Sequence, residues 1–184
     1  MGFHTFDADR AAKLEDPDRF RFCSREELLA GLDPNPDDRI ADLGSGTGFY
    51  TRELAPLVDT VEAVDVQAEM HELLREYGRP ANVSQVTADV ADLPFAADAL
   101  DGAASTMTFH EFATPDSLAE LHRVLEPGAR LVVADWTATG SGEDGPPVAE
   151  RYDAADAESL LADAGFTVRE AADRLETLFV VAEA

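Results

Sequence analysis

The residues with the clearest chemical implication run from Asp42 to Gly48. Asp42-Leu43-Gly44-Ser45-Gly46-Thr47-Gly48 sets three glycines at alternate positions behind a carboxylate. Glycine tolerates positive φ, and its missing Cβ lets a ligand lie against the backbone. The amides of such a loop, with the N-terminus of a following helix, face a phosphate- or nucleoside-like ligand. Asp65 falls about twenty residues beyond the loop, where a carboxylate can accept both hydroxyls of a ribose. Asp89 precedes Val90, whose backbone amide can face an adenine ring. Further on, TMTFHE (Thr106 to Glu111) ends in His110-Glu111. A histidine can take a proton near neutral pH, and a neighbouring carboxylate can orient it or bind an acceptor hydroxyl. His4 and Asp7 would join that pair in a metal or substrate site if the N-terminus folded over it, although no close histidine spacing supports a metal.

These side chains need a scaffold that brings them to one edge, and the hydrophobic pattern supplies it. A first strand at 39–43 breaks into the glycine loop, and a helix is expected over 48–58. A second strand is Thr60 to Asp65. The next helix spans 67–77, with Met70, Leu73, Leu74 and Tyr77 on its buried stripe and His71 off it, solvated. Val83 to Thr87 and Gly102 to Thr106 read as strands three and four. Thr114 caps a helix with Pro115 in its first turn. Leu118, Leu121, His122 and Leu125 share its inner side, His122 as a packing residue rather than a ligand. Pro127-Gly128 ends that helix, and Leu131 to Asp135 is strand five. The Gly-, Pro-, Ser- and Thr-rich stretch 137–152 is long for a loop inside a compact domain, which favours a functional role. A helix at 155–164 then leads to a hairpin, Phe166 to Ala171 and Thr177 to Ala182.

The expected fold class is therefore α/β: a doubly wound, mostly parallel seven-stranded sheet with helices on both faces and an antiparallel C-terminal strand. Ligands of such sheets bind beyond the carboxyl ends of the strands, where strand order reverses. Asp42, Asp65, Asp89 and Thr106 to Glu111 all fall at those ends. Residues 1–38 form an N-terminal extension punctuated by Phe3, Phe6, Phe20 and Phe22. Its Ser24-x-x-Glu27 capping box opens a short helix through Leu32, and the segment can serve as a lid on the domain at 39–184.

The chain has 184 residues, 45% of them hydrophobic, which fits one domain with a full core. No apolar run reaches the roughly 18 residues of a membrane span, and the charged start MGFHTFDADR lacks a secretory core; a cytoplasmic location is expected. Cys23 is the one cysteine, so no intrachain disulfide or cysteine metal cluster forms, and it reads as a small buried hydrophobe. The net charge is −24 and Lys13 is the only lysine. Such a surface repels itself in dilute buffer, and salt near 1 M screens it to a Debye length of roughly 3 Å. A salt-accumulating halophile is the expected source. The charge argues against direct nucleic-acid binding, which needs cations to displace phosphate counterions.

Together these residues resemble the class I S-adenosylmethionine-dependent methyltransferases. Asp42 to Gly48 is similar to their D-x-G-x-G-x-G first motif. VDV at Val64–Val66 resembles the acidic second position, and ADV at Ala88–Val90 the adenine-contacting one. RVLEPGARLVVADW, Arg123 to Trp136, resembles their strand-five signature, with Ala129 where a second glycine is usual. The likeness covers about residues 38–184. FHTFDADRAAKLEDPDR and GPPVAER resemble a small-molecule branch near the quinone C-methyltransferases. The resemblance implies S-adenosylmethionine as methyl donor, S-adenosylhomocysteine as product, and a small-molecule acceptor. It implies a cofactor site of Asp42, Gly44, Ser45, Gly46, Gly48, Asp65, Val66, Asp89, Val90 and Thr106, with His110 and Glu111 as catalytic candidates and no metal.

Three other readings compete. An NAD-dependent oxidoreductase would share the fold, but its G-x-G-x-x-G would bring the third glycine one residue later than Gly48. A non-catalytic cofactor-binding subunit is the second. The third is a heterodimer with the small zinc-binding activator protein that several such enzymes share, acting on protein or tRNA. Its contact would be the strand-three edge, Val83–Thr87 (VSQVT), where few charges discourage pairing.

Overall fold

The computed structural model describes residues 8–184, so His4, Asp7, Phe3 and Phe6 lie outside the described residues. Seven strands form one sheet: β1 (Arg39–Leu43), β2 (Thr60–Asp65), β3 (Val83–Thr87), β4 (Leu100–Thr106), β5 (Leu125–Trp136), β6 (Thr167–Asp173) and β7 (Thr177–Glu183). Their order across the sheet is β3-β2-β1-β4-β5-β7-β6. The pairings among β1 to β5 are parallel, whereas β7 runs antiparallel to both β5 and β6. Strand order reverses between β1 and β4, so the crevice of this sheet opens beyond Leu43 and Thr106.

Both faces are covered. Helices α1 (Arg25–Leu32), α2 (Thr51–Leu54) and α3 (Ala68–Gly78) lie on one side, where Leu28, Leu32, Leu54 and Leu74 pack with Ile40, Val61, Val132 and Phe179. Helices α4 (Phe109–Phe112), α5 (Pro115–Val124) and α6 (Ala154–Asp163) take the other, where Phe109, Leu118, Leu121 and Leu161 meet Leu43, Leu131 and Val180. The central strands are buried on both sides and read as continuous apolar runs, LVVA in β5 and LFVVA in β7. Among the described residues no helix is long and apolar enough to cross a membrane.

The segment before β1 divides in two. Ser24 caps α1 by accepting from the Glu27 amide, and α1 belongs to the core: a Cβ on Gly31 would sit 3.0 Å from Val132 Cγ2, so the bare glycine lets the helix approach the sheet. Two 3₁₀ turns, Ala8–Glu15 and Pro17–Arg21, precede it and lie on the glycine loop. Cys23 is fully buried under them. Burial, and next the Glu27 charge, push its thiol up to about 12, which keeps it protonated as a small core group.

Several expectations need correction. The helix expected at 48–58 is short: Thr51–Leu54 is α-helical and Ala55–Leu57 is 3₁₀, because Pro56 removes a helix amide and Gly48 to Tyr50 are spent on the turn. β5 starts at Leu125 instead of Leu131. Leu100 pairs with Leu125, the register then shifts, and Gly128 at φ 89° absorbs the kink, so Pro127-Gly128 is an irregularity within the strand. Leu125 accordingly leaves the helix for the sheet. On α3 the buried residues are Met70, His71 and Leu74, while Tyr77 is exposed. His71 is only 4% exposed, because the N-terminal turns and glycine loop cover a side of α3 that hydrophobic spacing alone leaves to solvent.

Leu28→Ala tests whether α1 is structurally part of the domain. Leu28 is wholly buried, so the truncation is expected to cost about 2–5 kcal/mol in one cooperative denaturant transition measured at molar salt. A loss near zero would make α1 peripheral.

Candidate active site

The strand ends deliver their carboxylates into places where water is scarce. Asp42 closes β1 one residue short of its end and is 1% exposed. Its Oδ2 accepts from the Thr51 hydroxyl at 2.5 Å, which ties β1 to the first turn of α2. Burial, the largest influence, raises its pKa to about 6; the Thr51 bond and the Arg19 charge pull the other way. Asp65 ends β2 and is 8% exposed. Its two oxygens take different backbone amides, Oδ2 from Gly46 at 2.8 Å and Oδ1 from Gln67 at 2.9 Å. Burial raises its pKa, and those two amides oppose the rise. The Asp65 carboxylate therefore shapes the glycine loop directly.

The loop itself is held at positive φ at Gly44, Gly46 and Gly48 (70°, 53° and 83°). A Cβ on Gly44 would fall 2.3 Å from Thr108 Cγ2, and one on Gly48 would fall 2.1 Å from Leu74 Cδ1. The first glycine thus admits the loop after β4, and the last admits α3. Between them the Ser45 hydroxyl is buried with no hydrogen-bond partner, as is expected of a group awaiting a ligand. Thr106 is buried at the end of β4. Val66, by contrast, is 50% exposed. Val90 is buried, and Asp89 is exposed with Oδ1 accepting the Ala91 amide at 2.9 Å.

Beyond β4 the chain turns sharply. Met107 adopts φ 61°, an uncommon conformation for a residue with a side chain, and its amide donates to Ala134 O at 2.7 Å. That turn starts α4 over the end of β5 and brings His110 onto Asp135. The His110 amide donates to Asp135 Oδ2 at 2.7 Å, and its Nδ1 lies 2.9 Å from the same oxygen and 3.1 Å from Oδ1. Asp135, 1% exposed, also accepts the Trp136 amide at 2.7 Å. His110 Nε2 faces Glu111 Oε1 at 3.9 Å. Burial works against the charged form of His110, but the hydrogen bond and charge of Asp135, with Glu111 and Glu150, outweigh it and raise the pKa. Glu111 is pushed up to about 7, chiefly by burial; His110 counters, while Asp135 and Asp65 add to the rise. Thr108, two residues before His110, donates to Gly44 O at 3.4 Å, so the glycine-loop site and the His110 site are adjoining parts of one crevice, and Asp65 adds to the rise of Glu111.

The structure thus gathers Asp42, Gly44, Ser45, Gly46, Gly48, Asp65, Thr106, His110 and Glu111 at the switch point. Sequence reasoning missed Asp135, although it ends the strand beside β4 and the strand-end rule applied to it equally. Two further segments converge there. Arg151, buried among the backbone carbonyls of Pro146, Thr137 and Asp144, lies 5.5 Å from the Trp136 ring centroid. Phe22 meets the same ring at 4.7 Å, and Arg21 pairs with Asp144 at 3.3 Å. The N-terminal turns and the 137–152 loop therefore close on each other over Trp136, one residue past Asp135. Over the loop, Glu15 accepts from Thr47 Oγ1 at 2.6 Å and pairs with Arg52. Among the described residues no cluster of His, Cys, Asp and Glu has metal-holding geometry. A cleft of about 460 Å³ lined by α1, β5, β6 and β7 residues contains none of these groups.

A Rossmann-like sheet with a carboxylate-anchored glycine loop at its switch point defines a nucleoside-cofactor-binding α/β protein. The comparisons with known proteins narrow that class. Residues 41–133 match the family model for a methyltransferase domain, and with half of its length matched the chain belongs to the S-adenosylmethionine-dependent methyltransferases. It is 35% identical over 167 residues to the O-methyltransferase cnsE of Penicillium expansum (83% of this chain, 60% of that protein). It is 36% identical over 114 residues to a demethylmenaquinone methyltransferase of Corynebacterium kroppenstedtii (61% and 48%). The chain thus spans about half to three fifths of the length of these curated relatives. Among solved structures it resembles a SAM-dependent methyltransferase from Aquifex aeolicus (TM-score 0.87, 29% identity, 97% and 98% covered). It also resembles the putative methyltransferase complexed with the Haloferax volcanii Trm112 methyltransferase activator (TM-score 0.81, 22% identity, 96% and 93% covered). The family implies S-adenosylmethionine as the cofactor, with S-adenosylhomocysteine as its product form, in place of a dinucleotide. The unpartnered Ser45 hydroxyl and the Cβ-free glycine surface suit that cofactor.

Asp42 has a pH signature. Its folded pKa, about 6, exceeds the usual carboxylate value, so between about pH 4 and 6 the native state holds a proton that the unfolded chain releases. Its contribution to stability therefore falls as pH rises through that window. Asp42→Asn is expected to flatten that part of the unfolding free energy against pH, compared with wild type at constant molar salt. Parallel profiles would exclude a buried, proton-holding Asp42.

Proposed function

We propose that the chain methylates a small molecule whose acceptor atom must lose a proton, and that His110, held by Asp135, takes it. The observation that carries this is the paired contact of the Asp135 carboxylate with the His110 amide and Nδ1. With Nδ1–H donating to Asp135, Nε2 is left as the free acceptor. The carboxylate also stabilises the imidazolium that forms on proton uptake, the reason such pairs serve as general bases. Glu111, beside Nε2, binds an acceptor hydroxyl or passes on the proton. A hydroxyl-bearing or quinone-type ring fits the names of the relatives.

The cofactor supplies an activated methyl group on a sulfonium. Gly44, Ser45, Gly46 and Gly48 would line its amino-acid and ribose portions, with Asp42 beneath them. Asp65 spends one lone pair of each oxygen on backbone amides and keeps the others for ribose hydroxyls. Val66, Asp89, Val90 and Thr106 would border the adenine and ribose. The remaining task is alignment and exclusion of water, which suits the convergence of residues 8–22 and 137–152 over Trp136.

A second reading has its own observation. β3 is an outer strand whose far edge has no partner strand among the described residues, and Val66 and Tyr77 of the adjoining β2–α3 unit are exposed. The neighbour solved in complex with the Trm112 methyltransferase activator supports an activator partner; on this reading the partner takes the β3 edge and the acceptor is macromolecular. Gel filtration with a Trm112-type protein at molar salt checks it; a 1:1 complex required for turnover would favour it over the small-molecule reading.

Asp65→Ala removes a charged acceptor, and Gly46→Val forces a side chain onto the loop at φ 53°. Each is expected to weaken S-adenosylhomocysteine binding about 10- to 100-fold by calorimetry, with the fold retained by circular dichroism. Wild-type affinity in Asp65→Ala would refute the site assignment.

His110→Ala is expected to leave that affinity unchanged and to lower kcat about 10²- to 10⁴-fold. The acid limb of kcat/KM should lie above the ordinary histidine value, since Asp135 raises the His110 pKa, and Asp135→Asn should move it to lower pH. A limb that stays in place in Asp135→Asn excludes His110 as the base.

A further inference from the structure

Among the described residues, five arginines around the crevice are tied to carboxylates or buried among carbonyls, and Arg19 differs from them. Arg52 pairs with Glu15, Arg21 with Asp144, Arg25 with Glu53 and Arg174 with Glu27; Arg151 is held by three carbonyl oxygens. The guanidinium of Arg19, in the second N-terminal turn, makes one hydrogen bond among the described residues, from Nη1 to Leu14 O at 2.7 Å. Its guanidinium lies 5.1 Å from the Phe49 ring centroid and 5.3 Å from that of Tyr50, the two residues directly after Gly48. The Tyr50 hydroxyl donates back to Arg19 O at 3.1 Å. Glu15 lies within electrostatic reach of Arg19, as does Asp42, but Glu15 is engaged by Arg52 and Thr47. A guanidinium has five N–H donors, and burying a cation without an anion is costly. In a chain of net charge −24, carboxylates to pair with it are abundant. Among the described residues Arg19 is nevertheless left without one, beside the glycine loop.

We propose that Arg19 binds the carboxylate of the cofactor's amino-acid end, and that residues 8–22 thereby form part of the cofactor site. This rests on the cofactor and not on the assignment of His110. S-Adenosylmethionine and S-adenosylhomocysteine carry an α-amino acid at the end opposite adenine. With the adenosine on the Asp65 side, that end meets the glycine loop and the start of α2. Asp42 and Asp65 make this crevice hostile to an incoming carboxylate, and Arg19 is a cation beside it with donors to spare. The rings of Phe49 and Tyr50 hold the guanidinium in place without consuming those donors. The same contact couples cofactor binding to the N-terminal turns: Leu14, whose carbonyl Arg19 holds, lies 3.3 Å from where a Cβ on Gly46 would be.

The test is a binding cycle read by calorimetry at molar salt. Arg19→Met keeps the apolar stem and the ring contacts but deletes the charge. The ligands are S-adenosylhomocysteine, its analogue lacking only the carboxylate, and methylthioadenosine, which lacks the whole amino acid. Wild type is expected to bind S-adenosylhomocysteine about 10- to 100-fold more tightly than the decarboxylated analogue. Arg19→Met should abolish that preference while its affinity for methylthioadenosine stays within about twofold, and Arg19→Lys should restore part of the preference. Equal binding of the two amino-acid ligands by wild type would overturn the proposal without any variant, so it remains falsifiable even if Arg19→Met folds poorly. An equal loss for methylthioadenosine would also overturn it, by making Arg19 a packing residue. His110→Ala serves as control, because failure of the proposed base changes turnover and leaves this cycle intact.

Discussion

Three carboxylates at the carboxyl edge of the sheet are buried with no arginine or lysine bonded to them among the described residues, and the crevice is built around how they are satisfied. Asp42 takes a threonine hydroxyl, Asp65 two backbone amides, and Asp135 two backbone amides and an imidazole. A buried carboxylate left unpaired would cost several kcal/mol, so each must recruit donors from whatever segment follows a strand. That requirement is structural as well as electrostatic. It ties the glycine loop to β2, α2 to β1, and α4 to β5. Charge placed at three strand ends thereby fixes the positions of the loops that do chemistry.

The same arrangement accounts for the character of the site. Desolvation raises Asp42 and Glu111 and works against the charged form of His110; Asp135 reverses the outcome for His110. Two segments remote in sequence, residues 8–22 and 137–152, then pack on Trp136 and wall the crevice. Phe22 and Arg151 approach one indole ring, and the backbone at Gly145 comes so close that a Cβ there would lie 2.6 Å from it. The exposed Arg21–Asp144 pair between those segments adds little energy in water, and the aromatic contact does most of the joining.

Much of this is legible in the chain. The glycine loop, Asp65 and the β–α alternation are local patterns, and each appears where the spacing puts it. The position of His110 beyond strand four follows from the same alternation. His71 shows the limit: helical spacing assigns it to solvent, yet it is buried because a segment about 60 residues earlier in the chain lies across α3. The early start of β5 is similar. Leu125 can continue a helix or begin a strand by its own propensity, and pairing with Leu100 decides.

By itself the sequence determined the order of elements and the placement of acidic residues at strand ends, since hydrophobic period and glycine stereochemistry are properties of neighbouring residues. Only the tertiary structure decided that Asp135 meets His110, that Arg19 reaches the glycine loop beside Phe49 and Tyr50, and that Trp136 joins two distant segments. Those contacts bring together residues 25 to well over 100 positions apart. They depend on strand order and on the turn at Met107, and neither leaves a periodic trace in the chain.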